Sequence, residues 1–138
     1  MTQISQKIII KLRDTDAAGL LFFANQLVYA HDLYELFLER IGFPLPQVIR
    51  QEPFLLPIVH VESDYLAKLE VGEQVEIILT VAKISDSSFT LAYQLFNSAG
   101  ELAGEAKTVH VAVDKKRGQK IKLPDKLRNA LTLFRDAP

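Results

Sequence analysis

The chain has 138 residues, of which 49% are hydrophobic and 24% are charged. This size predicts one globular domain over residues 1–138, which buries roughly two-thirds of its unfolded surface. The 16 lysine and arginine residues nearly balance the 17 aspartate and glutamate residues, so the formal net charge is −1. No global field attracts nucleic acid or an anionic membrane, and we expect neither as a partner.

The absence of cysteine excludes disulfides, thiolate nucleophiles and cysteine-based zinc sites. The opening residues MTQISQKIII are too few and too polar for a signal peptide. No apolar run approaches the ~20 residues of a membrane-spanning helix. We therefore expect a cytoplasmic protein.

A half-buried strand and then a long helix are predicted at the start of the chain. Polarity alternates between Ser5 and Arg13, and Ile8, Ile10 and Leu12 share the apolar face. Between Asn25 and Ile41 the apolar residues instead recur every three or four positions, which is typical of an amphipathic helix.

Four strand-like segments follow a proline-rich loop. They are Ile58–Leu69, Gln74–Ile84, Phe89–Phe96 and Glu101–Val113. Short turns at 85–88 and 97–100 make the last three antiparallel neighbours, and we expect all four to form a meander. A short amphipathic helix follows Pro124. The sequence therefore predicts an α+β domain, in which a curved five-stranded antiparallel sheet wraps around one long helix, with a short C-terminal helix.

Several common kinds of active site are missing from the sequence. It contains no G-x-S-x-G nucleophile elbow, no P-loop and no G-x-G-x-x-G fingerprint. The three histidines, His31, His60 and His110, are far apart and match no metal-binding spacing. We expect neither a metal nor a cofactor.

Two acids, Asp14 and Asp16, lie between the first strand and the long helix. One interpretation is structural, since aspartate favours turns and helix N-termini. The other is chemical: free N–H groups at a helix start polarise a carbonyl, and a nearby carboxylate attacks its carbon or activates a water. The apolar run Leu20–Phe23 would then exclude solvent from the site. Spacing alone leaves both interpretations open.

The same segment resembles a family signature. Residues 14–20, DTDAAGL, followed by FFAN at 22–25 and a helix, are similar to the D-x-D-x-x-G-[hydrophobic]-x-[aromatic]-[aromatic]-x-N pattern of the 4-hydroxybenzoyl-CoA thioesterase family. Within it, RDTDAAGLLFFANQLVYAHDLYELFLERIGF and ISDSSFTLAYQLF most resemble the 1,4-dihydroxy-2-naphthoyl-CoA thioesterases of phylloquinone synthesis. The resemblance covers nearly the whole chain and implies a hotdog fold that hydrolyses acyl-CoA thioesters.

The resemblance also implies roles for individual residues. Asp16 is at the position of the catalytic carboxylate, which serves as nucleophile or general base at the thioester carbon. Phe23 is at the position whose backbone N–H binds the thioester oxygen, and Asp14 is expected to be structural. Hotdog relatives are dimers and often tetramers with active sites between subunits, so a homodimer or homotetramer is expected.

Candidate substrate-binding residues divide into an acyl group and a CoA group. Aromatic side chains suited to an aromatic ring or an alkyl chain are Phe22, Phe23, Phe54 and Tyr65. Ser87 and Ser88 lie where some relatives hold basic residues against the CoA phosphates. The cluster Lys115, Lys116 and Arg117 could serve those phosphates instead, or be a solvated charged turn.

Three functions are compatible with these features. The leading hypothesis is hydrolysis of an aromatic acyl-CoA, for which CoA is part of the substrate. The second is the same chemistry on a fatty acyl-CoA or acyl-carrier-protein thioester. The third is a non-catalytic hotdog module that binds acyl thioesters, which would be expected to lack the carboxylate that Asp16 retains.

Overall fold

Seven strands make up the sheets of the computed structural model, which describes residues 3–135. In chain order they are β1 (Ile4–Ile9), β2 (Phe54–Leu55), β3 (Ile58–Tyr65), β4 (Gln74–Ile84), β5 (Ser88–Phe96), β6 (Leu102–Val111) and β7 (Val113–Asp114). Five of them form an antiparallel sheet in the order β1-β4-β5-β6-β3, and β2 pairs with β7.

Three helices accompany the sheets: α1 (Asn25–Arg40), α2 (Leu45–Arg50) and α3 (Asp125–Thr132). The inner face of α1 is fully buried at Leu33, Phe37 and Leu38, because it packs on the apolar side chains that alternate along β4 and β5. The predicted α+β architecture, a five-stranded antiparallel sheet around one long helix with a short C-terminal helix, is confirmed. No helix within residues 3–135 is both long and apolar enough to cross a membrane.

The predicted four-strand meander is wrong at its first strand. Strands β4, β5 and β6 are consecutive neighbours, but β3 pairs with β6, and β1 occupies the other side of β4. The hairpin turns after β4 and β5 are too short for any other pairing. The connection from Leu66 to Glu73 is longer, so it can carry the chain from one edge of the sheet to β4. Strand β3 is consequently an edge strand.

Two local predictions also need correction. Leu12 was expected on the buried face of the first strand, but β1 ends at Ile9 and Leu12 is 76% exposed in a 3₁₀ turn over Leu12–Asp14. The proline-rich loop contains α2, with Pro44 at its N-cap and a further proline in its first turn. Proline is compatible with a first turn, where no intrahelical N–H bond is lost.

A buried polar chain runs beneath α1. The Tyr93 and Thr108 hydroxyls are 3.0 Å apart, and Thr108 Oγ1 is 2.7 Å from His110 Nε2. The His110 ring stacks on Phe89 and is fully buried. Within residues 3–135, neither His110 Nδ1 nor the Tyr34 hydroxyl has a hydrogen-bond partner. Burial, with a smaller contribution from His31, lowers the pKa of His110 to about 3, so the native imidazole is neutral.

This histidine predicts acid sensitivity of the fold. The unfolded chain binds a proton at His110 near pH 6.5, whereas the native chain excludes it until about pH 3. The free energy of unfolding is therefore fully retained above pH 6.5 and falls below it, by about 1.4 kcal/mol per pH unit for one proton. Urea denaturation at pH 7 and pH 5 should show a smaller drop for His110→Gln than for the wild type, by about 2 kcal/mol. Equal drops in the two proteins would contradict this explanation.

Candidate active site

Asp16 closes a tight turn midway along the loop between β1 and α1. Its carboxylate Oδ1 accepts the backbone N–H groups of Ala18 at 2.9 Å and Leu20 at 3.2 Å. Its own N–H donates to the Leu20 carbonyl at 2.8 Å, and Gly19 takes a φ of +75° that favours glycine. Within residues 3–135, Oδ2 of Asp16 accepts no hydrogen bond. The turn therefore fixes an exposed carboxylate with one oxygen uncommitted.

Asp14 has a different environment. Its Oδ2 accepts a hydrogen bond from the Tyr29 hydroxyl at 2.9 Å, and Arg13 Nε lies 3.8 Å from its Oδ1. The Asp14 carbonyl accepts from the Phe22 N–H and from the Asn25 side-chain amide, both at 2.9 Å. Burial and then the bond to Asp14 raise the pKa of Tyr29 well above its ordinary value. These contacts tie the loop to α1, in agreement with the structural role expected for Asp14.

The N-terminus of α1 presents a free donor. A turn closed by the Asn25 N–H and the Phe22 carbonyl at 2.9 Å precedes the helix, and Ala24 at the N-cap provides no side-chain cap. Phe23 is thus two residues before the first helical residue. No acceptor within residues 3–135 receives the Phe23 N–H. An uncommitted N–H at a helix N-terminus is suited to stabilise negative charge on a ligand oxygen.

An open cleft of about 530 Å³ joins these two features. It is lined by Asp16, Leu20, Leu21, Phe22, Phe23, Gln26, Tyr65, Leu66, Ala67, Lys68 and Leu69. The Phe22 and Phe23 rings lie 4.8 Å apart and are 43% and 64% exposed. The apolar run 20–23 was expected to exclude solvent, but in a single chain it is a wall of an open cleft, because no described residue covers the two rings.

One aromatic candidate lies elsewhere. Phe54 is 2% exposed in β2 and packs against Phe43, with ring centroids 6.1 Å apart. It is a core residue and does not line the cleft around Asp16, so its assignment to the acyl-binding group is wrong. Phe54 lies in a proline-rich segment, and nothing in that segment predicted a short strand that pairs with β7.

The CoA candidates lie at the opposite end of the sheet from the cleft. Along β6, Gly104 pairs with Tyr65 beside the cleft, whereas Val111 pairs with Ser88. Seven residues of strand separate these two points, a distance of roughly 24 Å. Ser87 lies in the hairpin at that far end, where its carbonyl accepts the Ala112 N–H at 2.9 Å. A single chain therefore does not bring the serines and Asp16 together.

The basic cluster follows β7, near the same far end. The Lys115 ammonium donates to the carbonyls of Val48 at 3.2 Å and Ile49 at 2.5 Å in α2. Lys116 and Arg117 are exposed on a turn in which the Arg117 N–H donates to Asp114 Oδ2 at 2.7 Å. Lys115 thus has a structural contact, and the other two cations face solvent.

Comparison with known proteins identifies the family. Residues 10–131 match the Thioesterase-like superfamily. The chain belongs to this superfamily. A 1,4-dihydroxy-2-naphthoyl-CoA hydrolase of Rippkaea orientalis is 38% identical over 120 residues, which cover 86% of this chain and 87% of the relative. The hydrolase of the same description from Gloeothece citriformis is 39% identical over 118 residues, 84% of this chain and 82% of the relative.

A solved structure agrees with this assignment. The crystal structure of a 1,4-dihydroxy-2-naphthoyl-CoA thioesterase from Synechocystis matches with a TM-score of 0.87 and 27% identity, over 94% of this chain and 96% of that one. The resemblance to the hotdog thioesterases, seen first in residues 14–25, is thereby confirmed.

Sequence reasoning missed one residue of this thioesterase-like site. Gln26, in the first turn of α1, is 1% exposed, and its Nε2 approaches Ser63 Oγ at 3.0 Å, the Asp64 carbonyl at 3.0 Å and the Glu105 carbonyl at 3.2 Å. It therefore links the helix start to β3 and β6. A signal existed, because position 26 continues the apolar stripe through Ala30, and a polar residue on a buried stripe requires partners.

The two acids of the loop should differ in their effect on stability. Asp14→Ala leaves the Tyr29 hydroxyl without its acceptor and should lower the free energy of unfolding by about 1–3 kcal/mol. Asp16→Asn keeps Oδ1 as an acceptor for both backbone N–H groups and should change it by less than about 0.5 kcal/mol. Urea denaturation of both variants is the measurement. Equal losses of unfolding free energy in the two variants would contradict a structural role that belongs to Asp14 alone.

Proposed function

We propose that this protein hydrolyses the thioester bond of an aromatic acyl-CoA, 1,4-dihydroxy-2-naphthoyl-CoA, and releases 1,4-dihydroxy-2-naphthoate and CoA in phylloquinone synthesis. The names of the two curated relatives, at 38% and 39% identity, support this substrate. The observation that carries the proposal is that Asp16 and Phe23 line one cleft, with one carboxylate oxygen of Asp16 and the N–H of Phe23 uncommitted within residues 3–135. A thioester needs both a group that attacks its carbon and a donor for its oxygen.

The chemistry follows from these two groups. The thioester oxygen accepts the Phe23 N–H, and the N-terminus of α1 stabilises the negative charge that develops on it. Asp16 then acts in one of two ways. As a nucleophile it adds to the carbon and expels the CoA thiolate, leaving a mixed anhydride that water hydrolyses. As a general base it takes a proton from a water that adds to the carbon, and the tetrahedral intermediate then expels the CoA thiolate.

The cleft suits a flat aromatic acyl group. The neighbouring rings of Phe22 and Phe23, together with Tyr65, offer faces and edges to an aromatic ring. Leu66 and Leu69 extend the apolar lining. An alkyl chain would also find apolar contacts here, so the discrimination between acyl groups belongs to the experiment below.

We propose that the active form is a homodimer, either alone or as half of a homotetramer. Strand β3 is an edge strand, with no partner within residues 3–135 on its outer side. It exposes Ile58, Val59 and Val61 at 38%, 59% and 44%. Unpaired backbone groups and exposed apolar side chains on one edge favour pairing with a second copy.

Two-fold pairing of β3 would complete the substrate site. Two copies of an edge strand related by a two-fold axis run antiparallel, so the Tyr65 end of one lies near the Ile58 end of the other. The Ile58 end is the end that carries Ser87, Ser88, Lys115, Lys116 and Arg117, since Ile58 pairs with His110 and Ser88 with Val111. We therefore propose that the CoA phosphates bind these residues of the partner subunit.

Activity towards a substrate panel tests the reaction. The panel contains 1,4-dihydroxy-2-naphthoyl-, benzoyl-, short-chain and long-chain acyl-CoA. We expect the highest kcat/KM with the naphthoyl thioester, and in Asp16→Asn a loss of turnover by a factor of about 10³ or more with substrate binding retained. Thiol release measures turnover, and calorimetry with the variant measures binding.

Each outcome of the panel decides between the alternatives. A preference for long-chain thioesters would favour the fatty acyl hypothesis, and binding of every thioester without turnover would favour a non-catalytic module. Near-normal turnover by Asp16→Asn would show that the Asp16 carboxylate is not required for the reaction. Asp14→Asn is the matched control, because it makes the same charge change two residues away and should keep measurable turnover.

Mixed dimers test the contribution of the partner subunit. The triple variant Lys115→Ala, Lys116→Ala, Arg117→Ala should have a raised KM for acyl-CoA with little change in kcat. Refolded together at equal amounts, it and Asp16→Asn should form heterodimers in which one of the two sites is intact, about a quarter of all sites. Activity at low substrate concentration should then exceed the sum of the separate variants. No gain in a sample with demonstrated heterodimers would place the cluster and Asp16 in the same subunit's site.

A further inference from the structure

We infer that Tyr65 is a positioning residue for the oxyanion site, because its hydroxyl holds the turn that presents the Phe23 N–H. This inference rests on the proposed thioesterase function and goes beyond it. Tyr65 is the last residue of β3, far from the loop in sequence, and its Oη donates to the Phe23 carbonyl at 2.6 Å. That distance is short for a hydroxyl-to-carbonyl hydrogen bond, which indicates a close contact.

The peptide that carries the donor N–H is held by its own carbonyl, since the Phe22 carbonyl accepts the Asn25 N–H at 2.9 Å, and by one further anchor on each side. Before it, the Phe22 N–H donates to the Asp14 carbonyl at 2.9 Å. After it, the Phe23 carbonyl accepts the Tyr65 hydroxyl. The Tyr65 bond holds the next peptide, Phe23–Ala24, and its loss would leave that peptide free to rotate and to tilt the turn that orients the Phe23 N–H. Ala24 provides no side-chain cap, so within residues 3–135 the Tyr65 bond is the only side-chain hydrogen bond to residues 22–24.

Strand β3 is a firm support for this bond. Gln26 ties the first turn of α1 to Ser63 and Asp64 of the same strand. The approach of its amide requires the glycine at position 104, where an added Cβ would clash with Gln26 Oε1. The start of α1 and the end of β3 are thus joined at two points, by Gln26 and by Tyr65.

The Tyr65 ring also lines the cleft, so its hydroxyl and its ring have separable roles. The ring can contact the acyl group, whereas the hydroxyl is occupied by the Phe23 carbonyl. Replacing tyrosine with phenylalanine removes the hydroxyl and keeps the ring. A positioning role therefore predicts a change in turnover, and a role in substrate binding predicts a change in KM.

The test compares Tyr65→Phe with the wild type on the preferred acyl-CoA. We expect kcat to fall about tenfold, less than the roughly 10²- to 10³-fold effect of removing an oxyanion donor outright, with KM within about twofold. A second readout is the infrared carbonyl stretch of a bound, non-hydrolysable aryl ketone analogue of the thioester. Its shift to lower frequency on binding the wild type should be smaller in Tyr65→Phe.

Tyr93→Phe is the matched control. It also removes one tyrosine hydroxyl, but that hydroxyl bonds Thr108 in the core and does not line the cleft. Both kcat and the carbonyl stretch should stay at wild-type values. Unchanged kcat in Tyr65→Phe, raised KM alone, or a lowered kcat with an unaltered carbonyl stretch would each overturn the inference. A wild-type protein inactive on every thioester would instead overturn the proposed function, and the inference with it.

Discussion

The site depends on the two hydrogen bonds that the backbone carbonyl of Asp14 accepts. This carbonyl accepts the Phe22 N–H and the Asn25 side chain together, and so fixes the approach of the loop to the first turn of α1. Because that approach is fixed, Asp16 and Phe23, whose N–H has no acceptor within residues 3–135, line the same cleft. A carboxylate can attack a carbonyl carbon or activate a water, and an unsatisfied helix N-terminus stabilises the negative charge that then forms on the oxygen. The pair therefore suits a reaction that creates an oxyanion.

The sheet explains why a single chain would hold only part of the proposed substrate site. The alternating side chains of β4 and β5 cover one face of α1. The strand order β1-β4-β5-β6-β3 leaves β3 at an edge of the sheet. The cleft and the predicted CoA residues are then separated by nearly the length of β6. Their separation follows from the strand order alone, and a two-fold axis across β3 is the simplest operation that brings opposite ends together.

Local periodicity predicted most helices and strands well, but it could not predict which strands pair with each other. Gln74–Ile84 and the helix from Asn25 were correct almost to the residue, since a buried face imposes period 2 or 3.6 on its own sequence. The edge position of β3 depends on a partner far along the chain. Leu12 continued the alternation of β1 after the strand had already ended, so the pattern alone gave the wrong exposure.

The candidate site shows the same division. Asp16 and Phe23 were proposed as site residues because they lie within one contiguous motif, and both line one cleft in the structure. Tyr65 was named only as an aromatic side chain, and its bond to Phe23 could not be read from residues that are 42 positions apart. Gln26 was visible as a polar residue on an apolar stripe, but its partners belong to two strands. Motifs locate reactive groups, and tertiary contacts decide how those groups are held.

A crystal structure of Asp16→Asn with uncleaved 1,4-dihydroxy-2-naphthoyl-CoA would test the central claim most directly. We expect the thioester oxygen to lie within hydrogen-bonding distance of the Phe23 N–H, about 3 Å, with the substituted amide side chain at position 16 beside the thioester carbon. A thioester bound away from this cleft, or with its oxygen facing solvent, would contradict the claim.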